Sequence, residues 1–229
     1  MASPAILGAL EAIGLAVDAG ERALLRGVPF RVESGETLAI LGPSGAGKTT
    51  LLRAVATLGP LRAGELRLDG DDPATVGWPQ WRRALVLVTQ RPVLLPATVE
   101  DNLRQAFQLA TAGTDRFDLE RALRLFDRLA LPRTRMARPA RELSVGEQQR
   151  VCLVRALIVA RRGLLLDEPT SALDSASMGA TEALLAEEIA ARGLCCLLVT
   201  HDLDQARRLG ARDLDLGGWL VTEEGADGR

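Results

Sequence analysis

Short uninterrupted apolar runs recur along the chain and define its predicted strands. They cover residues 36–41, 84–89, 163–167 and 194–200, and polar or turn-forming residues bound each of them. A run of this length without polar alternation is typical of a strand that is buried on both faces, as in a parallel sheet. The runs therefore predict a parallel sheet at the centre of the fold.

Other segments show the alternating pattern of antiparallel strands. Residues 5–33 alternate around a turn at Asp18, Ala19 and Gly20, and residues 64–70 alternate as a short segment. The first pattern predicts two antiparallel strands and the second an edge strand. Residues 214–221 are expected to form a hairpin whose turn contains two glycines.

Helical periodicity takes over in the middle of the chain. Residues 99–107 and 118–129 repeat apolar positions at helical spacing, and a third helix is expected to start at Ser144. Further helices, over residues 178–191 and 201–209, alternate with the last strands. The order predicts an α/β fold in which a mostly helical insertion, about 91–155, interrupts strand-rich segments over about 1–90 and 156–229.

Composition narrows the class of protein. The 229 residues are 47% hydrophobic and 25% charged, and the net charge is -2. These values suit one globular α/β domain and give no reason to expect a nucleic-acid partner. No apolar run reaches the roughly 20 residues of a membrane span, and the N-terminus lacks the pattern of a signal peptide. Cys152, Cys195 and Cys196 lie in apolar or helical patterns, which favours buried reduced thiols in a cytosolic protein.

One loop between a predicted strand and a predicted helix carries a phosphate-binding pattern. It fits G-x-x-x-x-G-K-[ST], and its residues are Gly42, Pro43, Ser44, Gly45, Ala46, Gly47, Lys48 and Thr49. Backbone N–H groups of such a loop point inward, and the helix N-terminus near Thr50 adds a partial positive charge. Lys48, the only lysine, is expected to reach the β- and γ-phosphates of a nucleotide, and the Thr49 hydroxyl to bind Mg²⁺. The alternative is a chance glycine-rich turn.

Polar residues follow three of the buried runs. Asp167 and Glu168 end one run, Gln90 follows another, and His201, the only histidine, follows a third. Open α/β sheets place ligands at the carboxyl ends of their strands. We therefore expect Asp167 to hold Mg²⁺ through water and Glu168 to deprotonate an attacking water. Gln90 is a candidate ligand of Mg²⁺ or water, and His201 a candidate contact for a γ-phosphate and a nearby carboxylate. Helix caps and an ordinary histidine are the alternatives.

A second candidate anion site opens the third predicted helix. Ser144 is followed by Gly146 and, three residues after the serine, by Glu147. This is the capping-box pattern, which starts a helix and leaves backbone N–H groups exposed for an anion. An ordinary helix start is the alternative.

In this order the motifs resemble those of the ATP-binding cassette (ABC) ATPases. The likeness spans roughly residues 5–222, and residues 171–174 within this range add a further motif to it. It implies a P-loop NTPase with a RecA-like core, a small antiparallel β-sheet and an inserted α-helical subdomain, which binds ATP and Mg²⁺. It also implies a head-to-tail homodimer of cassettes. Each ATP would lie between the P-loop of one copy and the Ser144 helix of the other.

The same resemblance implies roles for single residues. Glu168 would be the general base, His201 the switch residue, Gln90 the sensor of the Q-loop and Asp174 the acid of the D-loop, with Lys48 also in the catalytic set. The nucleotide would be held by the P-loop residues with Thr50, Asp167, Ser144, Gly146 and Glu147. The expected Mg²⁺ ligands are Thr49, Gln90 and Asp167.

Two positions depart from the family pattern. Val145 replaces a glycine of the usual Leu-Ser-Gly-Gly-Gln signature, but Ser144 and Gly146 are kept, so activity is expected to survive. The region around Ala19 lacks the aromatic residue on which family members usually stack the adenine, an interaction worth about 0.5–1.5 kcal/mol. We therefore expect ATP and GTP to be hydrolysed with comparable kcat/KM.

A cassette of this kind implies a partner that carries the substrate. The resemblance implies a separate integral membrane permease, with this chain in the cytoplasm and bound peripherally to the inner face of the bacterial cell membrane. Two segments, residues 89–103 and 129–132, resemble the ATP-binding subunits of bacterial iron exporters of the FetAB type. Phosphate and amino-acid importers share parts of these segments. A soluble ABC ATPase of the Fe–S assembly type is the alternative from another class.

Overall fold

Strands and helices alternate over residues 8–221, the part of the chain that the computed structural model describes. The predicted strand residues 5–7 and residue 222 of the family likeness lie outside this range. The strands are β1 (Leu10–Ala19), β2 (Arg22–Val32), β3 (Thr37–Leu41), β4 (Ala63–Leu68), β5 (Leu85–Val88), β6 (Gly163–Asp167), β7 (Cys195–Val199) and β8 (Arg212–Asp215). The α-helices are α1 (Lys48–Val55), α2 (Pro73–Val76), α3 (Trp78–Ala84), α4 (Val99–Arg104), α5 (Leu119–Arg128), α6 (Val145–Val159), α7 (Ser175–Arg192) and α8 (Leu203–Arg208).

The strands form two sheets. A parallel sheet has the order β5-β6-β7-β3-β8, and an antiparallel sheet has the order β2-β1-β4. The parallel sheet contains all four buried apolar runs, as the sequence predicts. The antiparallel sheet contains the alternating segments, with β4 at its edge. The α/β fold with a small antiparallel sheet is thus confirmed.

The parallel sheet separates two hydrophobic cores. Successive side chains of a strand point to opposite faces, so Leu164 and Leu166 of β6 pack into one core and Leu165 into the other. The first core also contains side chains of α4, α5, α6 and α7, whereas the second contains α1 and the antiparallel sheet. Burial on both faces explains why these strands are continuously apolar. All three cysteines are buried and unpaired, as expected, and burial raises the pKa of the Cys195 thiol to about 11.

The segment between β5 and β6 contains α4, α5 and α6 joined by 3₁₀ turns. Thr98 caps α4 and Asp118 caps α5, each by accepting a backbone N–H from the first turn of the helix. The expected boundary near residue 155 falls inside α6, and the division into subdomains stays a prediction. No helix within residues 8–221 is long and apolar enough to cross a membrane.

The predicted hairpin over residues 214–221 is wrong. β8 ends at Asp215, and a 3₁₀ turn over Leu216–Trp219 follows. The Asp215 carboxylate accepts a hydrogen bond from the Gly217 N–H at 2.9 Å, which stabilises a tight turn, and the Leu216 side chain is fully buried. The chain then bridges to β2 through Leu220 and Leu25, so it does not fold back on β8.

Gly163 lets β6 approach its neighbours closely. A Cβ atom at this position would lie 2.5 Å from the carbonyl oxygen of Cys195 in β7 and 2.8 Å from Cδ2 of Leu85 in β5. Real Cβ atoms do not come this close to a carbonyl oxygen, so only glycine fits without a shift of the backbone.

A buried polar network joins α7 and α8 to the segment that follows β6. Glu182 of α7 is 3% exposed and accepts hydrogen bonds from Arg208 at 2.5 and 3.0 Å and from Gln205 Nε2 at 3.0 Å. The Gln205 amide also donates to Thr170 Oγ1 at 2.6 Å. Since Thr170 lies two residues after Glu168 and α8 follows His201, the network connects the backbone segments that carry both residues.

We expect the Glu182→Ala substitution to lower the free energy of unfolding by about 2–3 kcal/mol. The substitution removes a buried carboxylate that accepts charge-assisted hydrogen bonds from Gln205 and Arg208, which keep only their contacts with Thr170 and Asp202. Urea denaturation followed by circular dichroism measures the change.

Glu187→Ala is the matched control. Glu187 lies on the same helix but is 59% exposed and pairs with Arg128 at the surface, so its loss should cost less than about 1 kcal/mol. Equal losses for the two variants would contradict a structural role for the buried network.

Candidate nucleotide-binding and active site

The predicted phosphate loop connects the end of β3 to the start of α1. Gly47 caps the helix with φ 87°, a left-handed conformation in which glycine carries no strain. A Cβ atom here would also lie 3.1 Å from Cδ1 of Leu24 in β2. The loop is therefore packed against the start of β2 and lies at the N-terminal end of α1, where the helix dipole stabilises an anion.

Lys48 is held inside this loop. Its side chain is 7% exposed, and Nζ donates to the carbonyl oxygens of Gly42 at 2.8 Å and Pro43 at 2.9 Å. Burial lowers the pKa of Lys48, although the negative charges of Glu168 and Asp167 oppose the shift. Within residues 8–221 the ammonium group thus contacts two carbonyl oxygens and pairs with no carboxylate, which is the environment expected of a group that binds phosphate.

Thr49 and Asp167 meet where β6 ends beside α1. The Thr49 hydroxyl donates to Asp167 Oδ1 at 3.1 Å, and the aspartate is 4% exposed. Burial raises the pKa of the Asp167 carboxyl, and the hydrogen bond from Thr49 acts in the opposite direction. A buried carboxylate beside a hydroxyl is an oxygen donor set of the kind that Mg²⁺ takes, and a cation there would offset the cost of the buried charge. The residues present therefore fit Mg²⁺.

Glu168 brings two other predicted site residues together. Its Oε2 accepts from Gln90 Nε2 at 2.6 Å, and its Oε1 lies 2.8 Å from His201 Nε2. The Glu168 backbone has φ 47°, which costs a non-glycine residue about 1–2 kcal/mol, and its N–H donates to the carbonyl oxygen of Val199 in β7. This strained conformation is found at the residue predicted to be the base, as is common at active sites.

These side chains share one cavity of about 580 Å³. Residues 44–50 of the P-loop region, Gln90, Glu168 and His201 line it, together with Ala19, Arg22 and Leu24 from the antiparallel sheet. Ser144, Gly146 and Glu147 are not among the lining residues. Within one copy of the described chain, the two predicted anion sites are therefore separate.

The second predicted anion site has the expected capping box at the N-terminus of α6. Ser144 Oγ accepts from the Glu147 N–H at 3.2 Å, and Glu147 Oε2 accepts from the Ser144 N–H at 2.9 Å. Arg135 Nε also donates to Glu147 Oε1 at 2.8 Å. Val145 is 58% exposed, so the residue that replaces the signature glycine presents an apolar side chain to the surface.

The alternative that Asp167 and Glu168 cap the following helix is wrong. Asp174 is the N-cap of α7, where its carboxylate accepts from the Ser177 N–H at 3.0 Å and from the Ser177 hydroxyl at 2.8 Å. Both residues lie before this cap: Glu168 lines the cavity, whereas Asp167 does not line it but contacts Thr49, which does. Likewise, Asp202 caps α8, so that helix begins after His201, which is left outside it.

Sequence reasoning missed Arg22, Leu24 and Arg135 as site residues. Arg22 and Leu24 enter the cavity because β2 packs on the P-loop, and Arg135 reaches α6 from a preceding 3₁₀ turn. No motif marks these positions. The one available signal concerns Arg22, which follows the predicted turn near Ala19, where the family's aromatic residue is missing.

Known proteins share this sequence and fold. The profile of the ABC transporter family matches residues 25–171. The Fe(3+) ions import ATP-binding protein FbpC 1 of Rhodococcus jostii is 42% identical over 200 residues, which are 86% of this chain and 56% of that protein. The chain thus spans little more than half the length of this relative.

Two further similarities cover more of the compared protein. The probable iron export ATP-binding protein FetA of Escherichia coli is 35% identical over 187 residues, 82% of each chain. A solved structure described as the ATP binding subunit of an ABC transporter superposes with a TM-score of 0.79 and 29% identity, over 90% of this chain and 85% of that one. The resemblance seen in the motifs is thereby confirmed, and the chain belongs to the ABC transporter family.

Proposed function

We propose that this chain is an ATP-binding and ATP-hydrolysing subunit of an ABC transporter. The observation that carries the proposal is the contact of Gln90 and His201 with the two carboxylate oxygens of Glu168 beside the P-loop. A carboxylate in this position can take a proton from a water that attacks the γ-phosphate. Gln90 and His201 orient that carboxylate, and the Lys48 ammonium stabilises the negative charge of the phosphates.

The cofactor of the proposed reaction is Mg²⁺, which Thr49 and Asp167 would hold. When bound, it supplies positive charge that offsets the charge of the phosphates. Gln90 donates its amide to Glu168, so its proposed contact with Mg²⁺ would use the amide oxygen, which that hydrogen bond leaves free.

The proposed active form is a homodimer of cassettes. Ser144, Gly146 and Glu147 do not line the cavity of their own chain, although the N-terminus of α6 presents anion-binding N–H groups. A second copy placed head to tail would complete the site by adding its Ser144 helix to the nucleotide.

The proposed partner is a separate integral membrane permease, which places the chain in the cytoplasm at the inner face of the cell membrane. The relatives that support this are ATP-binding proteins named for iron import and iron export. We propose iron as the cargo because both carry that name. Of the two directions we propose export, on the likeness of residues 89–103 and 129–132 to exporters.

Co-expression with a candidate permease, chosen as an integral membrane protein from the neighbouring reading frames, tests the function. We expect the two proteins to co-purify in detergent, and the complex in liposomes to hydrolyse ATP and move radioactive iron out of the compartment that faces the cassettes. Iron moving the other way would reverse the proposed direction, and ATP hydrolysis without iron flux would exclude this cargo. Hydrolysis by a chain that binds no membrane protein would support the soluble class instead.

A further inference from the structure

Arg22 lies where the start of β2 meets the nucleotide cavity. Arg22 and Leu24 both line that cavity, and they share a face of β2 because residues two apart in a strand point the same way. Leu24 is packed close to Gly47, since a Cβ on the glycine would lie 3.1 Å from its Cδ1. Arg22 is therefore positioned beside the P-loop, at the end of the cavity formed by the antiparallel sheet.

The arginines near this turn differ in how they are paired. Arg26 and Arg62 donate to the two oxygens of Asp18 at 2.7 and 3.0 Å. For Arg22, residues 8–221 provide no side-chain hydrogen bond or ion pair, and the residue is exposed. The Arg22 guanidinium is thus the cation of this group that remains available to a ligand in the cavity.

The position of Arg22 suggests which part of a nucleotide it contacts. The P-loop, Lys48 and Glu168 account for the triphosphate end of the cavity, which leaves Ala19, Arg22 and Leu24 for the ribose and base. Ala19 is too small to stack on a ring. A guanidinium is planar and stacks on aromatic faces. Of these three side chains, that of Arg22 is therefore the one suited to stack on the base.

We infer that Arg22 stacks on the purine base of the bound nucleotide and so replaces the missing aromatic residue. The inference rests on the proposed nucleotide site. Stacking reads the face of a ring and not its edge, and the methyl groups of Ala19 and Leu24 offer no hydrogen bond to the edge. Arg22 therefore raises the affinity for purine nucleotides without separating ATP from GTP, which agrees with the comparable kcat/KM expected for the two.

Binding of ATP, GTP and inorganic tripolyphosphate to the full chain tests the inference. By isothermal titration calorimetry with Mg²⁺, we expect Arg22→Ala to weaken ATP and GTP binding about 3- to 30-fold and to leave tripolyphosphate binding unchanged. Arg22→Lys keeps the charge but has no planar group, so it should bind as weakly as the alanine variant. Arg22→Tyr should restore the affinity, because its ring can stack.

Arg67→Ala is the matched control, because Arg67 lies on β4 of the same sheet, pairs with Glu65 and is not part of the cavity lining. It should bind ATP like the wild type. The inference is overturned if Arg22→Ala binds ATP normally, if tripolyphosphate is weakened equally, or if Arg22→Lys behaves like the wild type. A wild-type chain that binds neither ATP nor tripolyphosphate would overturn the nucleotide site itself. Weaker binding of ATP by Arg22→Ala, with tripolyphosphate binding unchanged, would support the role of Arg22.

Discussion

Replacing Glu168 with glutamine is expected to lower kcat for ATP hydrolysis by about 10²–10⁴-fold, the usual contribution of a general base. Glutamine has nearly the same shape, so the amide can still contact Gln90 and His201, but it cannot accept a proton from water. ATP affinity should change little, because the P-loop contacts with phosphate are retained. Release of inorganic phosphate measures turnover, and calorimetry measures binding in the same preparation.

The same variant also tests the proposed dimer. With hydrolysis blocked, ATP should remain between two cassettes, and size-exclusion chromatography in ATP and Mg²⁺ should show a dimer that is absent without nucleotide. Glu65→Gln is the control, because Glu65 is exposed on β4 and outside the cavity. Hydrolysis by the Glu168 variant at the wild-type rate would contradict the assigned base. An ATP-bound monomer would contradict the composite site.

Replacing Lys48 with alanine is expected to weaken ATP binding by several hundredfold. The ammonium group is proposed to contact two phosphates, and charge-assisted hydrogen bonds contribute about 1.5–3 kcal/mol each. Lys48→Arg should fail almost as badly, because Nζ occupies a narrow position between the carbonyl oxygens of Gly42 and Pro43 that a planar guanidinium cannot enter.

The thermal midpoint of the Lys48 variants distinguishes a loss of ATP binding from unfolding. Burial lowers the pKa of Lys48, which means that the folded chain disfavours the charged side chain. Removing the charge is therefore not expected to lower the thermal midpoint. A variant that binds ATP like the wild type would contradict the role of Lys48, and a large fall in the midpoint would show that the lysine is instead a structural residue.

The parallel sheet could be predicted because its strands are apolar on both faces, which is a local property of the sequence. The same holds for the P-loop and the capping box at Ser144, since spacing and residue type define them. The start of α8 was less predictable: Asp202 takes the cap and leaves His201 outside the helix. The hairpin at 214–221 failed because burial of Leu216 and the Asp215 turn outweighed the signal of two glycines.

Long-range contacts explain why the sequence did not mark Arg22 and Glu182. Arg22 enters the cavity only because β2 packs on Gly47, and Glu182 becomes a buried acceptor only because α7 and α8 meet. Neither residue differs in its local sequence from the many exposed charges of the chain. Their positions depend on how distant segments pack, which periodicity and spacing do not record.

Because β6 is buried on both faces, its hydrophobic pattern alone does not fix its register with the neighbouring strands during folding. In a strand with one polar face, a slip of one residue exposes apolar side chains and is disfavoured at once. In β6 both faces are apolar, so a slip would exchange leucines between the two cores at little cost. Gly163 supplies the missing constraint, because any other residue brought to its place would collide with the Cys195 carbonyl. A slip of one residue would move Asp167 by about 3.3 Å along the strand and break its hydrogen bond with Thr49. One glycine, at the start of the strand, thus fixes the position of Asp167 at its other end.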